Sequence, residues 1–443
     1  MSSPLLALRC FASLIAVAVG FPAAAVPSYS RQTGDPCTSC HLGAYGPQLT
    51  PHGREFKLSG YSDGKTVVPL SVTMLASITH TNKDLAQVPD RYGANNNATL
   101  QDIIGFAAGR IAPHAGTFIG VTYSGIDRKV GLDHFDVRYA QPLHIAGKDA
   151  IWGFDINNNP GTQDVFDTLP AWSFPHDRSE LVPQQIAMPL LAGALDGHVA
   201  GFSTYLWLND SLYAEFAGYR SLGTPVLKFV GVQDDAGRID GTAPYGRVAY
   251  QKGWGKQVAS VGFVAMRAAL HPEPRPGPPN KYFDLGLDAT YQYRGKGKRD
   301  FALDMSLIHE RQQRDFDVTA GTTSRRSHVL NSLRADASIY WKQTYGLTAG
   351  LFHTWGTADT SLYAPATDEG SRTGRPNTSG YVIQANWTPF GKEASWGAPY
   401  ANLRLGIEYT GYLQFNGGHR DYDGFGRSAS ANNTVFGFVA IAL

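Results

Sequence analysis

Three residues near the N-terminus have the types and spacing to do chemistry together. Cys37, Cys40 and His41 stand in the stretch QTGDPCTSCHLGAYGPQL as a C-x-x-C-H. Three kinds of site use two cysteines so spaced. A structural zinc wants four ligands, usually a second C-x-x-C or close histidines, and the only other cysteine is Cys10. A thioredoxin-type redox pair lies between a strand and a helix, whereas Pro36 precedes Cys37 and a glycine-bearing stretch follows. The third use accounts for the histidine. In c-type attachment the two sulfurs form thioethers to a haem, and the adjacent imidazole ligates the iron. On this reading Cys37 and Cys40 bind one covalent haem c, and His41 is an axial ligand.

That attachment is made outside the cytoplasm, and the N-terminus reads as an export signal. Arg9 precedes an apolar run from Phe11 to Phe21, and small residues follow at Ala23, Ala24 and Ala25. Cleavage after Ala25 is expected, making 1–25 a signal peptide. The cysteines then left are Cys37 and Cys40, in an oxidising compartment.

Residues 26–66 form the expected monohaem cytochrome segment. It is too short to wall off a macrocycle, since chains of about 40 residues seldom fold without help. The rest of the chain, 67–443, must supply the walls. A net charge of +1 gives no reason to expect a nucleic acid partner. A mean hydropathy of −0.22 excludes a multi-span helical membrane protein, and no run of 18 or more apolar residues occurs after the signal.

Residues 67–443 alternate with period two again and again. In YFDLGLDATYQYR, Phe283, Leu285, Leu287, Ala289, Tyr291 and Tyr293 share one parity, and Asp284, Asp288, Thr290 and Gln292 share the other. Such segments run about ten residues or more, enough to cross a bilayer when tilted. Aromatic residues near strand ends (Trp152, Trp207, Tyr213, Tyr250, Trp341, Trp387 and Tyr400) suit interface girdles. Short connections such as 208–210 and 342–344 alternate with long ones such as 158–197 and 358–376. The pattern predicts an all-β, transmembrane outer-membrane β-barrel of about sixteen antiparallel strands, with both chain ends in the periplasm and a short N-terminal haem plug. The 389–399 connection is long for the periplasmic side.

The run SRQTGDPCTSCHLGAYGPQLTPHGREFKLSGY resembles the N-terminus of the fused outer-membrane cytochrome–porin family of bacterial iron-oxidase type. The block WGFDINNNPGTQDVFDTLPAWSFP, Trp152 to Pro175, and the later SLYAEFAGYRS resemble it too. His52 departs from the aromatic expected there. The resemblance implies a haem c in or near the lumen, with Cys37 and Cys40 holding it and His41 on the iron. It also implies one-electron oxidation of extracellular Fe(II), or a similar donor, with transfer to a periplasmic c-type cytochrome. The chain is expected to be a lipid-embedded monomer. Two other functions fit the same parts: a haem-plugged diffusion porin, and an exporter of electrons to extracellular acceptors.

The sixth iron position needs a further residue. His52, inside the cytochrome segment, is one candidate. Met74 and His80 share the parity of Val72, Ala76 and Ile78, which faces lipid, and Leu75 breaks the polar pattern of the opposite parity. His134 should face the lumen with Asp136 and Arg138, as ordinary charged lining. His419, Asp421 and Asp423 in GHRDYD, and Asp234 with Asp235, are loop residues of the type that can bind Fe(II). Electron transfer needs no general acid or nucleophile, and the sequence carries no triad or phosphate-binding loop.

Overall fold

The computed structural model describes residues 26–169, 172–193, 195, 197–232, 237–272, 277–295, 298–392 and 395–443. The expected signal peptide, 1–25, and Asp234 with Asp235 lie outside them. The first half of the sheet comprises β1 (Leu70–Thr81), β2 (Asn97–Ala112), β3 (Ala115–Ser124), β4 (Lys129–Ile145), β5 (Lys148–Asn157), β6 (Val199–Leu208), β7 (Leu212–Ser221), β8 (Arg238–Ile239) and β9 (Ala243–Trp254). The second comprises β10 (Gln257–His271), β11 (Asn280–Arg294), β12 (Arg299–Gln313), β13 (Ser327–Trp341), β14 (Tyr345–Gly356), β15 (Thr378–Trp387), β16 (Asn402–Gln414) and β17 (Thr434–Ala442). Pairing is antiparallel throughout, and β1 pairs with both β2 and β17, from Thr73 opposite Ala442 to Thr81 opposite Thr434. The sheet therefore closes on itself. The two-residue β8 only edges β10, so the wall is a sixteen-strand barrel.

Which face is buried decides the solvent. On β11 the polar parity is hidden, with Asp284 at 0% and Gln292 at 1% exposure, while Leu287 is 56% exposed. The same inversion places Phe202, Phe216, Val261, Leu351 and Ile407 on the outside. A water-soluble barrel would hide these side chains. A barrel whose outer belt is apolar and whose interior is polar is a transmembrane barrel of the outer-membrane type. Exposed Trp254, Trp341 and Tyr345 sit at the strand ends beside short turns, and Trp387 sits opposite Tyr345 beside the longer connection on the same side, forming one interfacial girdle.

Trp207 and Tyr213 do not belong to that girdle. They are 5% and 1% exposed and pack in the lumen with Leu58, Phe166 and Tyr205. Their parity is the inward one, and they provide apolar contact for what fills the bore.

Several short turns hold two consecutive residues at positive φ, the conformation that suits the twist of the flanking strands. The pairs are Ala146–Gly147, Asn209–Asp210 and Lys342–Gln343. β4 runs on through Pro142 to Ile145, because the pairs Gln141 with Trp152 and Leu143 with Ala150 continue around the proline. The long-loop end carries two short helices, Thr224–Phe229 and Asp315–Ala320. The connection between β5 and β6 is different. Its residues Thr162 to Leu169 are all nearly or fully buried, because the segment folds into the bore.

Candidate functional site

Residues 26–66 also lie inside the barrel. Local sequence sets their three helices: α1 (Pro27–Thr33), α2 (Cys37–Cys40) and α3 (Pro51–Leu58). Pro27 opens α1, and Gly34, at φ 81°, ends it in the left-handed region. Pro51 opens α3, whose cap is Thr50, with Oγ1 accepting from the Gly53 amide at 3.2 Å. The Thr50 amide donates to the Cys40 carbonyl at 2.8 Å, and Leu42 N to Gln48 O at 3.0 Å. Residues 41–50 thus form a closed loop that returns to the cysteine turn.

The segment is tied to strands all around the bore. Tyr29 Oη donates to Thr117 O at 2.7 Å on β3, and Tyr61 Oη to Asp136 Oδ2 at 2.8 Å on β4. Arg54 Nη1 reaches Gln251 Oε1 at 2.8 Å on β9, and Gln292 Nε2 on β11 reaches Leu49 O at 2.8 Å. Asn402 Nδ2 on β16 donates to Ala44 O at 2.6 Å. The long inner connection has a use here, since Thr38 N donates to Gly391 O at 3.2 Å. The inward β5–β6 segment meets the plug from the other side. Lys57 Nζ donates to Thr162 O at 2.6 Å and Asp164 O at 2.9 Å, and stands 5.2 Å from the Trp172 ring centroid. Burial, then the nearby Arg138 charge, pushes the Lys57 ammonium down to about 8.

Between these two inserts is a cavity of about 440 Å³, in the range of ligand sites. Cys37, Cys40 and His41 line it. Aromatic and aliphatic side chains, among them Tyr29, Phe56, Phe118, Ile104 and Trp172, form much of the wall. Leu75, the residue that breaks the polar parity of β1, packs here with Phe436, Phe438, Ala440 and Tyr45. Its apolar side chain is part of the cavity. A second cavity, of about 120 Å³, shares Pro175, Arg178 and Arg334 with the first and reaches Thr354, Thr410 and Thr434 at the long-loop end. Asp102, Asp133, Asp177 and Glu180 line the first cavity, and Asp336 and Glu408 the second.

The donor set fits a c-type haem. Cys37 and Cys40 form no disulfide, and the one-turn helix places both residues at the cavity. Burial pushes the Cys40 thiol up to about 12, with Asp35 adding to the effect, so the sulfur is kept as a thiol and not as a reactive thiolate. His41 Nδ1 lies 3.2 Å from Pro47 O. Burial pushes the His41 imidazole down to about 4, which keeps it in the neutral form that binds a metal. His134 Nδ1 is buried beside the cavity without a hydrogen-bond partner. Among the described residues, no group of three histidine, cysteine or carboxylate side chains could hold a bare metal ion, so an ion-only site is not built here.

The other sequence candidates divide between the cavity and the rest of the barrel. His52, on α3, is exposed and paired with Asp35 at 3.0 Å, and it does not line the cavity. Met74 contributes to the lining of the cavity but stands on the outward parity, opposite Ile103 and Ile441, and His80 is exposed and bonded to Asn96. His134 faces the lumen, as expected, but packs at the cavity against Phe118 and Trp172. The GHRDYD residues serve their own loop. His419 Nδ1 bonds Leu413 O, Asp421 pairs with Arg372 at 3.2 Å, and Asp423 accepts from Phe425 N and Arg427 N. Sequence reasoning missed His176, Trp172 and Lys57 at the site. The available signal was the length of the 158–197 connection, because long connections inside a compact domain tend to be functional.

No known protein family matches the sequence, and no curated protein matches it. Solved structures with a similar barrel include the outer membrane channel DcaP of Acinetobacter baumannii, at 11% identity and a TM-score of 0.46, covering 84% of this chain and 96% of that one. OprB of Pseudomonas putida, in its high-pH structure, shows 8% identity and a TM-score of 0.47, covering 84% and 93%. An anion-selective porin from Comamonas acidovorans shows 12% identity and a TM-score of 0.42, covering 84% and 98%. At such identities and scores these likenesses bear no weight. The barrel is established by the closed pairing and the outward apolar belt of this chain.

Proposed function

We propose that the protein is an outer-membrane electron conduit carrying one covalent haem c on Cys37 and Cys40, with His41 as an axial ligand. The observation that carries this reading is the coincidence of the C-x-x-C-H turn with an apolar-walled cavity inside a closed barrel. A haem held there supplies a one-electron couple, with a potential set by its ligands and by shielding from water. The reading agrees with the fused cytochrome–porin resemblance of residues 30–61.

The donor we propose is extracellular Fe(II). The carboxyl groups along both cavities, interspersed with Arg178 and Arg334, are oxygen donors that Fe(II) entering from the long-loop end would meet. One electron leaves Fe(II), giving Fe(III), and a ferric c-type cytochrome on the periplasmic side becomes ferrous. No bond or proton is exchanged. The chain contributes enclosure, the proximal imidazole and a plug that blocks bulk flow. The test is the purified holoprotein in liposomes that contain a ferric cytochrome c, with Fe(II) added outside. Reduction of the enclosed cytochrome is expected. Its absence in a haem-loaded sample overturns the conduit.

A second reading is a diffusion porin in which the haem is structural or sensory, and the closed sixteen-strand barrel with a polar lumen favours it on architecture alone. Liposome swelling in small sugars separates the two. The plug and the inward segment predict swelling no faster than that of empty liposomes.

A further inference from the structure

Resting on the haem reading above, we propose that His176 would be the second protein ligand, with His41, of a haem iron held in the cavity. His176 is borne by the inward β5–β6 segment, not by the cytochrome segment, so the two ligands would come from the two inserts that meet in the bore. It lines the same cavity as His41, Cys37 and Cys40. Its side chain is open although the barrel encloses it, so the opening is onto the cavity. Neither ring nitrogen has a hydrogen-bond partner among the described residues, unlike those of His41, His52 and His80. With its side chain open to the cavity and both nitrogens unused, the imidazole is available to a metal held there.

The surroundings hold the ring in place. Trp172 stacks on it with centroids 6.2 Å apart, and Trp172 Nε1 is tied to Thr162 O at 3.1 Å. On its other side in sequence, Asp177 pairs with Arg404 at 3.0 Å, with both side chains nearly buried. Such outer contacts orient a ligand and are a recurring part of metal sites. The rivals are worse placed. His134 Nδ1 is also without a partner at the cavity, but its ring is wedged between Phe118 and Trp172, with Nε2 3.4 Å from Asp133. His52 is exposed, pairs with Asp35 and does not line the cavity, and Met74, which does line it, stands on the lipid-side parity.

The test is spectroscopic and uses the haem-loaded full chain. Wild type is expected to give a six-coordinate, low-spin ferric spectrum that ignores carbon monoxide when reduced. His176→Ala is expected to keep covalent haem, turn high-spin, bind carbon monoxide, and regain the low-spin spectrum with added imidazole. His134→Ala and His52→Ala should stay low-spin. If His176→Ala does not fold, His176→Met serves instead, with a raised midpoint potential expected, because a thioether ligand favours the ferrous state. A low-spin His176→Ala, an unshifted His176→Met, or a high-spin wild type overturns the assignment and leaves the conduit standing. A wild type without covalent haem overturns the haem reading itself.

Discussion

His41 Nδ1 and the Pro47 carbonyl oxygen are 3.2 Å apart, within the loop that closes back onto Cys40. A carbonyl can only accept, so Nδ1 carries the proton and Nε2 is the nitrogen left for a metal. This is the outer contact that fixes the tautomer of many ligating histidines. The loop from 41 to 50 is therefore a mould for one imidazole, and it leads to a first expectation. Replacing both Cys37 and Cys40 by alanine should abolish haem that survives acid–acetone extraction, while the heat-dependent gel mobility of the folded barrel is kept. Retained covalent haem would refute the attachment.

Gly53 supports the same turn by close approach. A Cβ at this position would lie 2.3 Å from the Cys40 carbonyl oxygen, and backbone cannot move aside cheaply. Gly53→Val should displace the cysteine turn and cut haem incorporation several-fold, with β-sheet content by circular dichroism unchanged. Normal incorporation would show that α3 does not constrain the turn.

Lys57 locks the plug to the inward segment. Lys57→Met keeps the length but leaves the Thr162 and Asp164 carbonyls without their donor, at a cost of about 1–3 kcal/mol each. Amide exchange over 51–58 and 162–169 should accelerate together in the variant, and planar-bilayer recordings should show brief openings absent from wild type. Exchange that changes in only one of the two segments would mean that they are not coupled.

The same lysine gives a pH dependence. Its folded value, pushed down by burial to about 8, lies below the roughly 10.4 of an unfolded lysine. A depressed value contributes stability present above the unfolded value and lost as pH falls through the folded one. Protection of the plug amides should therefore rise between about pH 8 and 10 in wild type, after correction for intrinsic exchange, and stay flat in Lys57→Met. Equal slopes would remove Lys57 as the cause.

His52 and Asp35 form an exposed pair on the plug. Surface pairs of this kind contribute about 0–1 kcal/mol. His52→Ala should leave thermal stability within that margin and the haem absorbance spectrum unaltered. A changed spectrum would restore His52 as a ligand.

The strands were legible because the bilayer imposes a strict alternation. Phe283 to Tyr293 and Asp284 to Gln292 read as two faces, and β11 has those faces. Leu75 was legible only as a flaw in the pattern, and the structure turns the flaw into a cavity wall. Trp207 and Tyr213 were misread as girdle residues because an aromatic near a strand end suits both an interface and a packed lumen, and parity alone separates the two. The inward course of the β5–β6 segment has no periodic signature. It depends on pairings such as Lys57 with Thr162 and Arg247 with Asp164 that are far apart in the chain. His176 was hidden for that reason, since nothing local marks it as a neighbour of His41.

The seam between β1 and β17 carries a consequence for manufacture. Val72 and Leu443 exchange backbone hydrogen bonds, so the last residues of the chain seal the strand that follows the plug. Once that seam is shut, an enzyme cannot reach Cys37 and Cys40 through the wall. If the proposed haem is joined to those sulfurs, the joining has to come before the cylinder is sealed or through one of its open ends.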